Sequence, residues 1–237
     1  MPGLGTIVNV AAILLGGLAG MFGGKLIPER YQKTLLSAMG VSVLFVGLAS
    51  ALSQMLYAED GTLHTQGTMM LIISLAAGAI LGELLDLEDR MERFGAWLRE
   101  KSGSQSDNSF INGFVTASLT VCIGAMAIVG AIQDGISGDH ATLFAKAVLD
   151  FVIVLVMAAS MGKGCMFSAI PVGILQGGVT LLAQLIRPVF TEQALDNLSL
   201  TGSVLVFCVG LNLVWGKHIR VANLLPALIV SVIWAFF

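Results

Sequence analysis

Charged residues are scarce in this chain. Asp, Glu, Lys and Arg make up 11% of its 237 residues, where a soluble domain carries about 25%. That shortage excludes an ordinary water-soluble fold. The net charge of −3 is small and of the same sign as a polyanion, so no nucleic-acid partner is expected. Cysteine is also sparse: Cys122, Cys165 and Cys208 match no metal or redox spacing and read as small apolar packing residues. The three histidines, His64, His140 and His218, fall in turns and pair with no nucleophile. Ser-His-Asp, HExxH and P-loop patterns are missing. The eleven methionines form no MxxM ladder, which removes a copper pathway. No enzyme is expected, and no cofactor.

Apolar length is what the chain has. It is 56% hydrophobic with a mean hydropathy of +0.90, and a helix needs about 20 residues to cross the hydrocarbon. Eight segments qualify: residues 4–24, 34–57, 67–85, 110–132, 141–162, 164–186, 198–216 and 219–237. The first lacks the basic start of a cleavable signal peptide and is too long for one, so it is expected to remain as a span. Basic residues resist translocation and mark the cytoplasmic side. Lys25, Arg30, Lys33, Arg90, Arg93, Arg99, Lys101, Lys163, Lys217 and Arg220 fall in every second gap, and only Lys146 and Arg187 lie opposite. The expectation is an all-α polytopic protein of eight transmembrane helices with both termini outside the cytoplasm (N-out/C-out).

Within one membrane domain, 1–237, the pattern divides further. Ala12, Gly16, Gly20 and Gly24 recur every four residues and give the first span a smooth face for close backbone approach. The same face would also serve a homodimer. Residues 83–101 carry Leu84, Leu87, Met91, Phe94 and Leu98 at helical spacing with charges between them. That predicts an amphipathic helix on the cytoplasmic surface, supported by Asp86–Arg90 and Asp89–Arg93 pairs. Residues 102–109 read as a flexible linker.

The chain also echoes itself. Ile13, Gly16 and Gly17 match Ile174, Gly177 and Gly178; Leu36, Ser37, Gly40 and Phe45 match Leu198, Ser199, Gly202 and Phe207; Gly47 and Leu48 match Gly210 and Leu211. Residues 1–87 and 164–237 then form two repeats around a central helix pair, 110–162. An odd number of spans separates the copies, so they insert in opposite senses: an inverted-topology repeat, 3+2+3. That order resembles the ZIP-type metal permeases in topology only, because their metal-binding histidines have no counterpart in spans four and five.

Candidate site residues are the polar groups buried in apolar segments. Asp150 is foremost, as cation ligand or proton carrier, or else as an i,i+4 partner of Lys146. Gln133 and Asp134, with Asp139, follow the small-residue face Gly124, Ala127, Ala131 and Gly135. They suit a broken helix end whose freed carbonyls coordinate a cation. Asn9, Asn112, Thr116, Gln176 and Asn212 must be hydrogen-bonded in lipid. Gln176 is favoured among them because Gly177 and Gly178 let a ligand approach backbone.

The runs MPGLGTIVNVAAILLGGLAG, CIGAMAIVGAIQDGISGD and RVANLLPALIVS resemble the YqgA/YdfK-like family across essentially the whole chain. The resemblance implies a protein of the bacterial cytoplasmic (inner) membrane, loosely described as a transport protein, and supplies no substrate or site residue. The reading as a whole is a carrier for a small solute, with the acidic outer turns Glu59, Asp60, Asp134, Asp139, Glu192 and Asp196 favouring a cation. Alternating access between the two repeats would drive it. A membrane scaffold or regulator docking through 83–101, or a passive channel, are the alternatives.

Overall fold

Glycine placement decides where the helices of this protein touch. The computed structural model describes residues 2–26, 28–59, 61–105, 107–123 and 125–237, the side chains of Lys25, Leu26, Glu29 and Ala125 excepted. Of the expectations above, those on Asp60 and Gly124 lie outside the described residues. In chain order come α1 (Leu4–Leu26), α2 (Glu29–Met55), β1 (Leu56–Glu59), β2 (Thr62–Thr65), α3 (Thr68–Leu85) and α4 (Leu87–Lys101). Then follow α5 (Phe110–Cys122), α6 (Ala125–Ser137), α7 (Ala141–Met161), a 3-10 turn (Lys163–Ser168), α8 (Ala169–Leu181), α9 (Ala183–Ile186) and a short turn at Arg187–Val189. The chain finishes with α10 (Glu192–Trp215), a 3-10 turn at Val221–Leu224 and α11 (Pro226–Trp234).

Two compact units emerge. Unit one comprises residues 1–39, 89–122 and 126–186, and unit two comprises 40–88, 123–125 and 187–237. In unit one, α1 lies along α7. A side chain at Gly16 would stand 2.5 Å from the Phe151 carbonyl oxygen, and one at Gly24 2.6 Å from that of Ala159. Gly20 meets the Leu155 carbonyl in the same way. Both rows step by four residues, so one face of α1 rides on the backbone of α7. Gly16, Gly20 and Gly24 of the predicted stripe are therefore spent inside the chain. Gly164 lies against the Phe110 carbonyl and seats the start of the sixth segment on α5.

In unit two, α2 and α10 run antiparallel through a reciprocal contact. A Cβ at Gly47 would lie 2.6 Å from the backbone nitrogen of Phe207, and one at Gly210 2.6 Å from that of Leu44. Gly47 and Gly210 are 163 positions apart, and so are Leu44 and Phe207. The first echo behaves differently. Gly16 and Gly17 press on Phe151 and Met166, whereas Gly177 and Gly178 have open space beside them. Elsewhere in the unit Gly78 packs on Ala227 and Gly82 on the Asn223 backbone, joining α3 to the last segment.

Among the described residues six helices are long and apolar enough to cross a membrane: Leu4–Gly24, Arg30–Met55, Thr68–Leu85, Ala141–Met161, Lys163–Leu181 and Glu192–Trp215. The fourth expected span is a pair, α5 and α6, bent by 62°, and it makes a seventh if counted as one. Val221–Trp234 is apolar but shorter than the other six. The chain is thus an α-helical polytopic membrane protein, and the count of eight depends on the bent pair and this short final segment.

Two local details differ from the sequence reading. Residues 83–85 complete α3, and the amphipathic helix starts at Leu87. Asp86 between them takes a left-handed φ of 50° and donates its N–H back to the Glu83 and Gly82 carbonyls, which ends α3. Asp86 consequently reaches Arg220 at 3.5 Å, while the Asp89–Arg93 pair forms as expected. The segment after α2 is an antiparallel hairpin pairing Leu56 with Thr65 and Glu59 with Thr62.

A bulky residue at Gly20 should separate α1 from α7, since overpacking costs about 1–3 kcal/mol or more. Gly23, one face away, has nothing within 4 Å of an added Cβ. Gly20→Leu is expected to lower the thermal midpoint of the detergent-solubilised protein, and Gly23→Leu to leave it nearly unchanged.

Candidate functional site

A helix that stops inside an apolar segment leaves carbonyls without donors. α5 stops at Cys122, and the orphaned Val121 carbonyl accepts a hydrogen bond from Lys146 Nζ at 2.8 Å. The other two donors of that ammonium go to Asp150 Oδ1 and Oδ2, both at 2.8 Å. Lys146 and Asp150 sit one turn apart on α7 and are 7% and 2% exposed. Asp150 Oδ2 also accepts from Asn9 Nδ2 at 3.0 Å, and the same nitrogen donates to Gln176 Oε1 at 3.2 Å. One network therefore draws on α7, α5, α1 and α8. Within it the ammonium uses all three donors, and the carboxylate faces one full positive charge.

Around this saturated core lies a set of polar atoms without partners. They are Thr6 Oγ1 and Asn9 Oδ1 on α1, and Gln176 Nε2 and Thr180 Oγ1 on α8. Thr6 precedes Asn9 by three residues and Thr180 follows Gln176 by four, so each pair shares a helix face. Thr6 and Thr180 border a cavity of about 440 Å³, with Pro2, Gly3, Gly135, Gly177 and Gln184 among its walls.

The expected site residues thus separate. Asp150, Asn9 and Gln176 converge, and Asp150 also forms the i,i+4 pair with Lys146 that is its alternative reading. Asp134 is fully buried and fastens the start of α1. Its Oδ1 meets Gly3 N at 3.1 Å and His140 Nδ1 at 2.8 Å, and its Oδ2 meets Gly5 N at 3.1 Å. A carboxylate at a helix N-terminus is favoured by the local dipole. Gln133 Oε1 accepts from the Thr142 hydroxyl at 2.7 Å. Asn112 accepts from Thr116 at 3.4 Å on an exposed stretch of α5. Asn212 closes the turn before the last segment through His218 N, Ile219 N and Ile219 O. Asp139 caps Ala141 N at 3.0 Å. Glu192 and Asp196 border a separate polar cavity of about 480 Å³ in unit two.

Residue type alone did not single out Thr6 and Thr180, although their spacing from Asn9 and Gln176 carried the signal. It also passed over Glu88, which is 3% exposed. Glu88 binds Lys217 at 2.7 Å and the Ala222 N–H at 3.0 Å, while its own N–H donates to Asn223 Oδ1 at 2.7 Å. Among the described residues no group of three or more His, Cys, Asp and Glu side chains could hold a metal ion.

Several apolar spanning helices with an ion pair buried among them define a multi-pass membrane protein. The chain belongs to the DUF554 family, described as a protein of unknown function, whose pattern matches residues 4–236. It is 28% identical over 232 residues to the "uncharacterized membrane protein YdfK" of Bacillus subtilis (strain 168), covering 98% of this chain and 95% of that one. It is also 28% identical over 232 residues to the "uncharacterized protein YqgA" of Escherichia coli (strain K12), covering 96% and 94%. No solved structure matches the chain.

Removing one member of a buried ion pair strands the other, at a cost of about 3–5 kcal/mol. Lys146→Met should lower stability by that order, and the double variant Lys146→Met with Asp150→Leu should recover most of the loss. Denaturation of the four proteins of this cycle in detergent checks the coupling.

Proposed function

We propose that this chain is a carrier for a small solute in the bacterial cytoplasmic membrane, working by alternating access rather than as an enzyme. The observation that carries the reading is the Lys146–Asp150 pair, buried in apolar helices and tied to the broken end of α5 at Val121. Ionisable groups at such positions are costly and ordinarily serve a pathway or a coupling step. The pair is neutral as a unit, so it is stable in a low-dielectric interior. It becomes charged, and changes its partners, once Asp150 takes a proton or a cation displaces the ammonium.

The cation expected from the acidic outer turns enters the scheme at this position. Any cation bound by Asp150 must replace Lys146, which makes the lysine an internal competitor for it. The 3+2+3 inverted repeat is part of the same reading. It is supported by the reciprocal Gly47 and Gly210 contact at a common separation, and by the basic residues gathered in alternate gaps. The orientation has both termini outside.

Purified protein in liposomes should move solute, saturably, and Asp150→Asn should abolish that flux while the protein stays folded. Undiminished flux in the variant would remove Asp150 from the mechanism, and unsaturable flux would favour a passive channel. Reporter tags at both chain ends should be accessible only from outside the cell.

A second reading has its own observation. On α4, Phe94 and Trp97 stack at 5.7 Å and are 39% and 51% exposed, a surface that would suit a scaffold or regulator. Deleting 87–101 would cost a scaffold its partner, whereas a carrier would keep measurable flux.

A further inference from the structure

We infer that the 440 Å³ cavity beside α1 and α8 admits small uncharged solutes that both donate and accept hydrogen bonds. The inference rests on the carrier reading and names a neutral solute class for it, in place of a cationic solute; a cation at Asp150 then has the part of a coupling ion. The cavity is bordered by Pro2, Gly3, Thr6, Ile7, Gly135, Gly177, Thr180, Leu181 and Gln184. None of these side chains is charged.

The charges nearby are already matched. Lys146 gives its three donors to Asp150 and Val121. The Asp134 carboxylate is held by Gly3 N, Gly5 N and His140. An ion entering the cavity would shed water and meet no opposite charge, which is costly in an apolar surround. A neutral polar molecule meets a different situation. The Thr6 and Thr180 hydroxyls have no partner, and one turn along the same helices stand an unpaired acceptor, Asn9 Oδ1, and an unpaired donor, Gln176 Nε2. Buried polar groups in that state are ordinarily satisfied by water or ligand. The two hydroxyls at the wall can each donate and accept, which suits a ligand with mixed hydrogen-bonding capacity, in a volume typical of small-molecule sites.

The test uses the full chain in proteoliposomes with Cys122, Cys165 and Cys208 replaced by alanine. Single thiols are introduced as Thr6→Cys, Thr180→Cys and Gly177→Cys. The last adds a side chain where nothing lies within 4 Å, so it keeps the test alive if a threonine variant misfolds. Leu15→Cys, at a position 59% exposed on α1, is the lipid-facing control. Each is treated with methanethiosulfonates of similar size bearing hydroxyethyl, trimethylammonium-ethyl or sulfonatoethyl groups, and with a benzyl reagent. Rates are normalised to those with a free thiol in water.

At the cavity positions the hydroxyethyl reagent is expected to outpace both charged reagents by about tenfold or more, and to outpace the benzyl reagent, which should lead only at the control. Equal or faster reaction of a charged reagent overturns the inference, as does a lead for benzyl, which would mark a lipid-filled groove. No reaction with any reagent overturns it as well. None of these results bears on whether Asp150→Asn abolishes flux, so failure of the solute class and failure of the carrier reading are separable.

Discussion

The Lys146 ammonium brings three N–H donors into a region where lipid offers no acceptor, and each must be answered from within the protein. Asp150 answers two, and the Val121 carbonyl answers the third. That carbonyl is free only because α5 stops there. The end of α5 and the buried lysine thus satisfy one another's hydrogen bonding. The arrangement also depends on close approach, because Asn9 reaches Asp150 from a helix whose glycines let its backbone lie against α7.

Much of this architecture can be read from residue order, for a physical reason. Spans are legible because hydrocarbon thickness sets a length that composition must meet. The Gly16, Gly20 and Gly24 row is legible because a period of four falls on one helix face. What Asn9, Asp150 and Gln176 do together is not legible: Asn9 is 141 and 167 positions from its partners, and only packing brings them into contact. The position of the break in the fourth span is equally hidden, since the residues around it are as apolar as those on either side. The start of α4 was misplaced because hydrophobic spacing runs on through Asp86, whose left-handed backbone leaves no trace in periodicity. Residue type places Asp134 among the candidate ligands; that its oxygens meet the Gly3 and Gly5 N–H groups and the His140 ring is something a list of residues does not show.

Unit two combines contact between backbones with the ion pairs of Glu88 with Lys217 and of Arg220 with Glu83. Gly47 and Gly210 each receive the main chain of the other helix at equivalent points, which is how a structure related to itself by a two-fold axis would meet at the centre. Gly16 and Gly177 show no such equivalence in what they face. Where Gly16 takes up a helix, Gly177 leaves room at the border of a cavity.

The register between α1 and α7 has a mechanical consequence. Three successive glycines engage three successive carbonyls, so sliding one helix past the other means lifting every tooth together and settling a whole turn away, about 5.4 Å. Small displacements along that seam have nowhere to rest. Asn9, Lys146 and Asp150 all ride on this locked pair and keep their mutual geometry. The bonds that leave it run to Val121 on α5, to Gln176 on α8, and to Asp134 and Gln133 on α6, so displacements within unit one are taken up at those bonds rather than along the seam.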